Sequence, residues 1–160
     1  MGTNHCTKLG KEDSKVALTC VREGGTEKYT VTWGELRQRV GLYSQVLRAH
    51  GVKKGDRVAG IVSNSAEALV VLMATISIGA IHSSTATDMG TKGILDRMLQ
   101  IEPAFVFMDD TAVWGGKMFD LRPKMTEIVE AMKGIKCFKG MVALPRWLDK
   151  PADVSGVPRW

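Results

Sequence analysis

The fold is decided by the stretch Arg57-Val58-Ala59-Gly60-Ile61-Val62, which is followed closely by an apolar segment at residues 66–78. The first stretch is short and rich in β-branched residues, as is typical of a buried strand. The second is apolar on nearly every face, which is the pattern of a buried helix, and Asn64 or Ser65 is placed to cap it. A polar turn at residues 53–56 precedes the strand. The sequence therefore predicts a strand–helix unit that other elements cover.

The residues before this unit predict a β-hairpin and a helix. Residues 15–22 alternate apolar and polar side chains, Gly24-Gly25 supplies a turn, and residues 29–31 can return as the second strand. Thr32 and Glu35 then have the spacing of a capping box, so a helix is expected to begin there.

Strands and helices continue to alternate after the unit. The predicted elements are a strand at 80–84, a helix at 91–101, a strand at 104–108, a helix at 123–132 and a strand at 136–144. This order predicts an α/β fold with a largely parallel sheet, helices on both faces of the sheet and the β-hairpin in front. We expect an α/β subdomain at 15–145, a flexible N-terminal tail at 1–14 and an irregular C-terminal tail at 146–160.

The composition is that of a soluble globular protein. Hydrophobic residues make up 44% and charged residues 24% of the chain, and its longest apolar stretch is too short and too interrupted to span a bilayer. The N-terminus has no apolar signal segment, and the spacing of Cys6, Cys20 and Cys137 fits neither a metal site nor a disulfide framework. The net charge of +5 comes from scattered residues and gives no indication of nucleic acid. We therefore expect a cytoplasmic protein with no membrane span and no nucleic-acid partner.

The first candidate site is a hydroxyl-rich loop that follows the strand at 80–84. It reads His82-Ser83-Ser84-Thr85-Ala86-Thr87-Asp88-Met89-Gly90-Thr91 and opens into the next helix. Ligands of open parallel sheets bind beyond the carboxyl ends of the strands, and helix N-termini attract anions. The loop can therefore hold a phosphate or a polar amide. The alternative is that its Ser and Thr side chains only turn the chain and cap the helix.

The second candidate site is Trp114-Gly115-Gly116-Lys117, which also follows a strand. The paired glycines permit close backbone approach, and Lys117 can reach an anion. The alternative is an ordinary glycine turn with a solvated lysine. The chain has no Walker A or dinucleotide-binding motif, His82 is interpreted as structural, and nothing identifies Asp109-Asp110 as a metal site. The residues themselves assign no catalytic and no metal-binding side chain.

Several motifs stand in a characteristic order. They are Thr32-Trp33-Gly34-Glu35-Leu36, Gly51-Val52-Lys53-Lys54-Gly55-Asp56-Arg57-Val58-Ala59 and Asn64-Ser65-Ala66-Glu67-Ala68, and with them the chain resembles the N-terminal region of acyl-CoA synthetases, the adenylate-forming ligases. Ile78-Gly79-Ala80-Ile81-His82-Ser83-Ser84 is similar to the acetyl-CoA and acetoacetyl-CoA synthetase branch. Asp88-Met89-Gly90, Gly93-Ile94-Leu95-Asp96-Arg97 and Gln100-Ile101-Glu102-Pro103 look most like the acetoacetyl-CoA synthetases.

The resemblance implies a ligase that uses ATP with magnesium and coenzyme A. The family joins a carboxylic acid to ATP, releases pyrophosphate, and transfers the acyl group from AMP to the thiol of coenzyme A. The family's phosphate loop, its Tyr-Gly-x-Thr-Glu motif, the ribose-binding aspartate and the catalytic lysine have no counterpart here. We therefore expect an N-terminal fragment that is inactive alone and whose missing motifs a companion chain could supply. The alternatives are a non-catalytic nucleotide-, coenzyme A- or protein-binding module and the remnant of a disrupted gene.

The resemblance also implies which residues contact coenzyme A. In the acetyl branch, a loop after the His-Ser pair lies along coenzyme A. It corresponds to Ala86, Thr87 and Asp88, where that branch has Phe-Gly-Gly. An Arg-Gly-Gly-Arg segment of that branch reaches the nucleotide end of coenzyme A. In this sequence Trp114 replaces its first arginine, and Lys117 keeps the positive charge of the second.

Overall fold

The computed structural model describes residues 10–22, 24–25, 27–147 and 149–158. The described residues divide into two compact units. The first contains residues 10–55 and 64–81, and the second contains residues 56–63 and 82–158. Most of the tail predicted at 1–14, including Cys6, lies outside the described residues, as do residues 148, 159 and 160 of the predicted C-terminal tail.

The first unit begins with a β-hairpin. Strands β1 (Val16–Val21) and β2 (Lys28–Thr32) pair antiparallel. Between them Gly24 and Gly25 have φ angles of 81° and 69°, a region that glycine enters without steric cost. The predicted hairpin and its glycine turn are confirmed.

Helix α1 (Trp33–Ala49) begins at the predicted capping box. The backbone N–H of Thr32 donates to Oε2 of Glu35 at 2.8 Å, and the backbone N–H of Glu35 donates to the Thr32 hydroxyl oxygen at 3.3 Å. The bond from the Thr32 backbone holds the pKa of the Glu35 carboxyl below its usual range. Gly51 follows the helix with a φ of 75°, as predicted for its C-terminal end.

Helix α2 (Ala66–Ser77) is the apolar helix predicted from the sequence. Of the two predicted caps, Ser65 is the one used, since its hydroxyl oxygen accepts from the backbone N–H of Ala68 at 3.1 Å. Gly79 follows the helix with a φ of 77°, and its carbonyl accepts from the backbone N–H of Gly55 at 2.9 Å.

Polar contacts connect the hairpin and the two helices of the first unit. One carboxylate oxygen of Glu67 accepts from Arg39 at 3.2 Å, and the other accepts from the Tyr29 hydroxyl at 3.5 Å. Burial, with the neighbouring Glu67 carboxylate, raises the pKa of Tyr29 to about 12, so that this hydroxyl stays protonated. The hydroxyl oxygens of Ser44 and Ser77 lie 2.7 Å apart between the helices.

The second unit is built on a parallel sheet. Its elements in chain order are β3 (Arg57–Ile61), β4 (Ile81–Thr85, whose first residue belongs to the first unit), α3 (Thr91–Ile101), β5 (Phe105–Asp109), β6 (Thr111–Trp114), β7 (Lys117–Asp120), α4 (Arg122–Met132) and β8 (Gly140–Leu144). In the described chain the sheet has the order β4-β3-β5-β8, and β5 runs parallel to both β3 and β8. The predicted α/β fold, with a parallel sheet preceded by a β-hairpin, is confirmed.

A hydrophobic core joins α3 and α4 to one face of this sheet. The sheet side chains in that core are Ala59, Ile61, Val106 and Met108, and the helix side chains are Ile94, Met98, Met125, Ile128 and Met132. Burying one such large side chain contributes about 1.5–3 kcal/mol. The sheet residues that alternate with them, Val58, Phe105 and Phe107, are also buried. Burial of both faces is what a parallel sheet requires.

A second hairpin, β6–β7, was not predicted. Its strands pair antiparallel from Thr111 opposite Asp120 to Trp114 opposite Lys117. The turn between them is Gly115-Gly116, with φ angles of 59° and 69°. Two residues of positive φ form the turn whose twist matches a β-hairpin. The glycine pair was therefore a hairpin signal, although from the sequence it was interpreted as a ligand loop or an ordinary turn.

Two adjacent carboxylates, one on the last residue of β5 and one on the residue after it, accept structural hydrogen bonds. Oδ2 of Asp109 accepts from both the backbone N–H and the hydroxyl of Ser63, at 2.8 and 2.6 Å. Asp110 is 5% exposed. Its two carboxylate oxygens accept from the backbone N–H groups of Arg146 and Asp153, each at 2.9 Å. Asp109 therefore joins the ends of β5 and β3, and Asp110 fastens the segment that follows β8.

We expect Asp110→Asn to lower the free energy of unfolding by about 1–3 kcal/mol, because either the buried backbone N–H of Arg146 or the partly buried one of Asp153 would face an amide N–H₂ instead of an acceptor. The matched control is Asp149→Asn at an exposed position, which should change stability by less than about 0.5 kcal/mol. Urea unfolding of the three proteins measures both values. Equal losses in the two variants would contradict the structural role of Asp110.

Candidate functional site

The candidate residues all lie in the second unit and follow the carboxyl ends of its strands. Ala86, Thr87 and Asp88 come directly after β4. Trp114 and Lys117 belong to the hairpin that follows β5. The carboxyl edge of a parallel sheet is where open α/β folds bind ligands. The topology therefore places both predicted groups at the expected edge.

The turn between β4 and α3 presents its predicted residues to solvent. Ala86 and Asp88 are exposed, and Thr87 is half-buried. Helix α3 starts after Gly90, and no side chain of the described residues caps it. The alternative interpretation, that the Ser and Thr side chains only turn the chain and cap the helix, is therefore wrong about the cap, whereas a turn is found at residues 87–88.

Two cationic side chains from the helices hold this turn. Nζ of Lys124 donates to the carbonyl oxygens of Thr87 and Met89, both at 2.8 Å. Nη1 of Arg97 donates to the carbonyl oxygen of Ser84 and to the hydroxyl oxygen of Thr85, both at 3.0 Å. Lys124 and Arg97 were not among the site residues predicted from the sequence. Lys124 is more than thirty residues from its partners along the chain, and no local pattern marks such a contact.

Trp114 and Lys117 face each other across the tip of the β6–β7 hairpin. Trp114 is 59% exposed, and its indole stacks on Phe119, with ring centroids 5.4 Å apart and planes 12° apart. Lys117 is exposed. The segment is therefore a glycine turn with an exposed lysine, as the alternative interpretation had it, and it also presents an aromatic ring beside that lysine.

The turn at residues 86–88 and the β6–β7 hairpin are each held by their own neighbouring side chains. Among the described residues, the side-chain contacts of the turn run to Arg97 and Lys124, and the ring contact of the hairpin runs to Phe119. These contacts do not join the turn to the hairpin. The two groups share an edge of the sheet, and each is held in place by its own neighbours.

His82 lies on β4, close to the turn, with its imidazole against Gly60 of β3. A Cβ at Gly60 would lie 3.3 Å from Cε1 of His82, so the ring occupies the space that glycine leaves. Nδ1 of His82 is buried and has no hydrogen-bond partner within the described chain. Burial lowers the pKa of His82, because a charged imidazole would lose its hydration there. These features describe a neutral packing residue.

Two cavities lined by described residues lie away from the turn and the hairpin. One of about 420 Å³ is at the start of α4, where Arg122 pairs with Asp120 at 2.7 Å and with Asp153 at 2.6 Å, so its positive charge is already compensated. These contacts, mainly the bonds with Asp120, raise the pKa of Arg122. The other, of about 270 Å³ in the first unit, is lined by Cys20, Tyr29 and neighbouring residues. Neither contains any of the predicted residues.

In the described part of the chain, no three His, Cys, Asp or Glu side chains come together as a possible metal site. A helix long and apolar enough to cross a bilayer is likewise absent from the described residues.

Comparison with known proteins assigns the family. The model of the AMP-binding enzyme family matches residues 8–151, which is most of the chain. The chain belongs to this family. It is 42% identical over 149 residues to acetoacetyl-CoA synthetase of Mus musculus, a match that covers 92% of this chain. It is also 37% identical over 124 residues, 78% of this chain, to malonamoyl-CoA synthetase of Penicillium aethiopicum.

The fold agrees with that of a solved family member. Acetoacetyl-CoA synthetase from Streptomyces lividans superimposes with a TM-score of 0.72 at 36% sequence identity, over 79% of this chain and 19% of that chain. The chain spans 22% of the mouse synthetase and 17% of the Penicillium one. This AMP-binding family chain therefore corresponds to about a fifth of its relatives. The predicted resemblance to acyl-CoA synthetases, and to acetoacetyl-CoA synthetases among them, is confirmed.

We expect His82 to make the free energy of unfolding fall as the pH decreases. The pKa of His82 is lower in the folded than in the unfolded state, where it is about 6.5. Above that value His82 is mostly neutral in both states, so it has little effect on stability there. Below that value the unfolded chain takes up the proton first, and the folded state loses stability. His82→Gln should show a flatter decline between pH 8 and pH 5 in urea unfolding. The same pH dependence in both proteins would contradict the assignment.

Proposed function

We propose that this chain is the N-terminal part of an acid–thiol ligase of the acetoacetyl-CoA synthetase type, and that its own share of the reaction is to hold coenzyme A. The observation that carries the proposal is the 42% identity to an acetoacetyl-CoA synthetase over 92% of the chain. Because the chain spans about a fifth of that relative, we assign adenylation to parts of the ligase outside this sequence. A companion chain that carries those parts would complete the enzyme.

The proposed ligase uses ATP with magnesium to activate a carboxylic acid. The carboxylate attacks the α-phosphate, pyrophosphate leaves, and the acid becomes an acyl-adenylate. The thiol of coenzyme A then loses its proton and attacks the acyl carbon, and AMP leaves with the electron pair of the broken C–O bond. Activation is needed because the carboxylate's own oxygen is a poor leaving group. In this scheme the five candidate residues only bind and orient coenzyme A.

The acid is proposed from the names of two relatives. Acetoacetyl and malonamoyl groups both carry a second carbonyl, separated from the thioester carbonyl by one CH₂ group. The two acyl groups have nearly the same shape and differ in a terminal methyl or amino group. We therefore propose a short acid with a carbonyl at the third carbon as the substrate class.

The hairpin tip has the chemistry to hold the nucleotide end of coenzyme A. One face of the Trp114 ring is stacked on Phe119, and 59% of the residue remains exposed for an adenine to stack on. Base–aromatic stacking is worth about 1–3 kcal/mol. Lys117 lies opposite Trp114 and supplies a positive charge for a phosphate. The turn at Ala86–Asp88 would lie along the remainder of coenzyme A.

The exposed apolar side chains of the hairpin favour a second candidate function, a protein-binding module. Met118 is 69% exposed and Trp114 is 59% exposed, so the strands on both sides of the turn offer apolar surface. A protein partner could cover them without any role for coenzyme A. The two functions differ in one measurable property, which is whether coenzyme A binds to the isolated chain.

We expect coenzyme A to raise the melting temperature of the purified chain, whereas ATP with magnesium and acetoacetate, each added separately, should leave it unchanged. A ligand at a hundred times its Kd stabilises the folded state by about 2.7 kcal/mol, which is several degrees for a domain of this size. A thermal-shift scan with the three additions measures this. A sharp transition that none of them shifts would support the protein-binding module instead.

We expect Lys117→Ala to weaken coenzyme A binding by about three- to tenfold, since it removes one charge contact of about 1 kcal/mol. The matched control is Lys139→Ala, the same change at an exposed position. Lys139 lies just before β8, at the amino ends of the strands and so at the opposite end of the sheet from the hairpin. Isothermal titration with coenzyme A gives both Kd values. Equal weakening in the two variants would mean that net charge, and not the hairpin, attracts the ligand.

A further inference from the structure

The turn from Ala86 to Gly90 takes its shape from a side chain of helix α4. The described residues 86–90 have no regular secondary structure, and their main internal bond runs from the backbone N–H of Met89 to the carbonyl of Ala86 at 3.4 Å. That bond is long and therefore weak. The two bonds from Lys124 are both 2.8 Å long, and a charged donor makes them stronger than neutral ones.

One ammonium group binds two carbonyls that are two residues apart. The carbonyl oxygens of Thr87 and Met89 converge on Nζ of Lys124, so the backbone between them curves around this nitrogen. In a trans peptide the N–H points opposite to the C=O, and the described chain has no cis peptide bond. The N–H groups of Asp88 and Gly90 therefore point away from Lys124.

Other contacts limit what the turn can do without Lys124. Arg97 fixes its beginning through Ser84 and Thr85, and the Met89 side chain lies near Gly93, where an added Cβ would be 3.4 Å from its sulfur. None of these contacts reaches Thr87 or Asp88. Loss of Lys124 would therefore release the middle of the turn and leave its ends in place.

We propose that Lys124 is a positioning residue for coenzyme A: it holds the turn that presents Thr87, Asp88 and two backbone N–H groups to the ligand, and it does not touch the ligand itself. The inference rests on the proposed function, because it is the proposed coenzyme A turn that Lys124 shapes. It goes beyond that function by assigning the shape of the site to a residue of α4 that the sequence did not single out.

The variants are chosen to separate the hydrogen bonds from the bulk of the side chain. Lys124→Met keeps the length of the side chain and removes its donors. Lys124→Arg keeps a cationic donor that can reach both carbonyls, and it should restore most of the effect. Lys133→Met is the matched control, because it removes an exposed lysine just beyond the same helix that pairs with Glu130.

Two readouts are measured on the whole chain. Backbone ¹⁵N relaxation without ligand gives order parameters for Asp88 and Met89, and titration gives the Kd for coenzyme A. The order parameters should be about 0.85 in the wild type, in Lys124→Arg and in Lys133→Met, and below about 0.6 in Lys124→Met. The Kd should rise about five- to thirtyfold in Lys124→Met, and by less than about twofold in the control.

The outcomes separate this inference from the proposed function. A rigid turn in Lys124→Met would overturn the positioning role. A mobile turn with an unchanged Kd would also overturn it, and would leave the coenzyme A proposal standing. If the wild-type chain does not bind coenzyme A, the proposed function fails and the role of Lys124 in binding fails with it, while the relaxation data still show whether Lys124 holds the turn. A mobile turn and a raised Kd in Lys124→Met, with rescue of both in Lys124→Arg, together support the positioning role.

Discussion

Burial of strand β5 is the constraint on which the sheet depends. All five of its residues, Phe105–Asp109, are buried, and the strand pairs with β3 on one side and β8 on the other. A strand with apolar side chains on both faces is stable only when both are covered, and α3 and α4 cover one of them. Polar side chains become possible only where the strand ends. The candidate residues of the second unit accordingly follow the carboxyl ends of strands β4 and β5.

The sequence predicts the regular elements well because their signals are local. The capping box at Thr32 and Glu35, the cap at Ser65 and the glycines that end helices each act within a few residues, and all were found as expected. The β6–β7 hairpin was missed because strands of four residues carry little periodic pattern, and its glycine pair also suits a ligand loop. Local chemistry thus identified the turn residues but not the strands on either side of them.

The candidate site was predictable only in part, for a physical reason. The resemblance to a family located five residues, and the topology brings both groups to one edge of the sheet. The contacts that give the turn of the site its shape connect residues far apart in the chain, such as Lys124 with Thr87 and Met89. A lysine that makes such contacts looks, in sequence, like any solvated charge. The side chains that hold a site are therefore harder to predict than those that form it.

The pair Asp109-Asp110 has a consequence for how this chain can evolve. The two carboxylates are neighbours, yet one bonds to Ser63 and the other to the segment after β8, because successive residues project in different directions. The apolar residues before them can replace one another at moderate cost. Insertion or deletion of one codon in β5 would instead turn the side chains that follow the change to the other face and misplace both carboxylates. We therefore expect descendants of this sequence to vary in the composition of the strand while keeping its length.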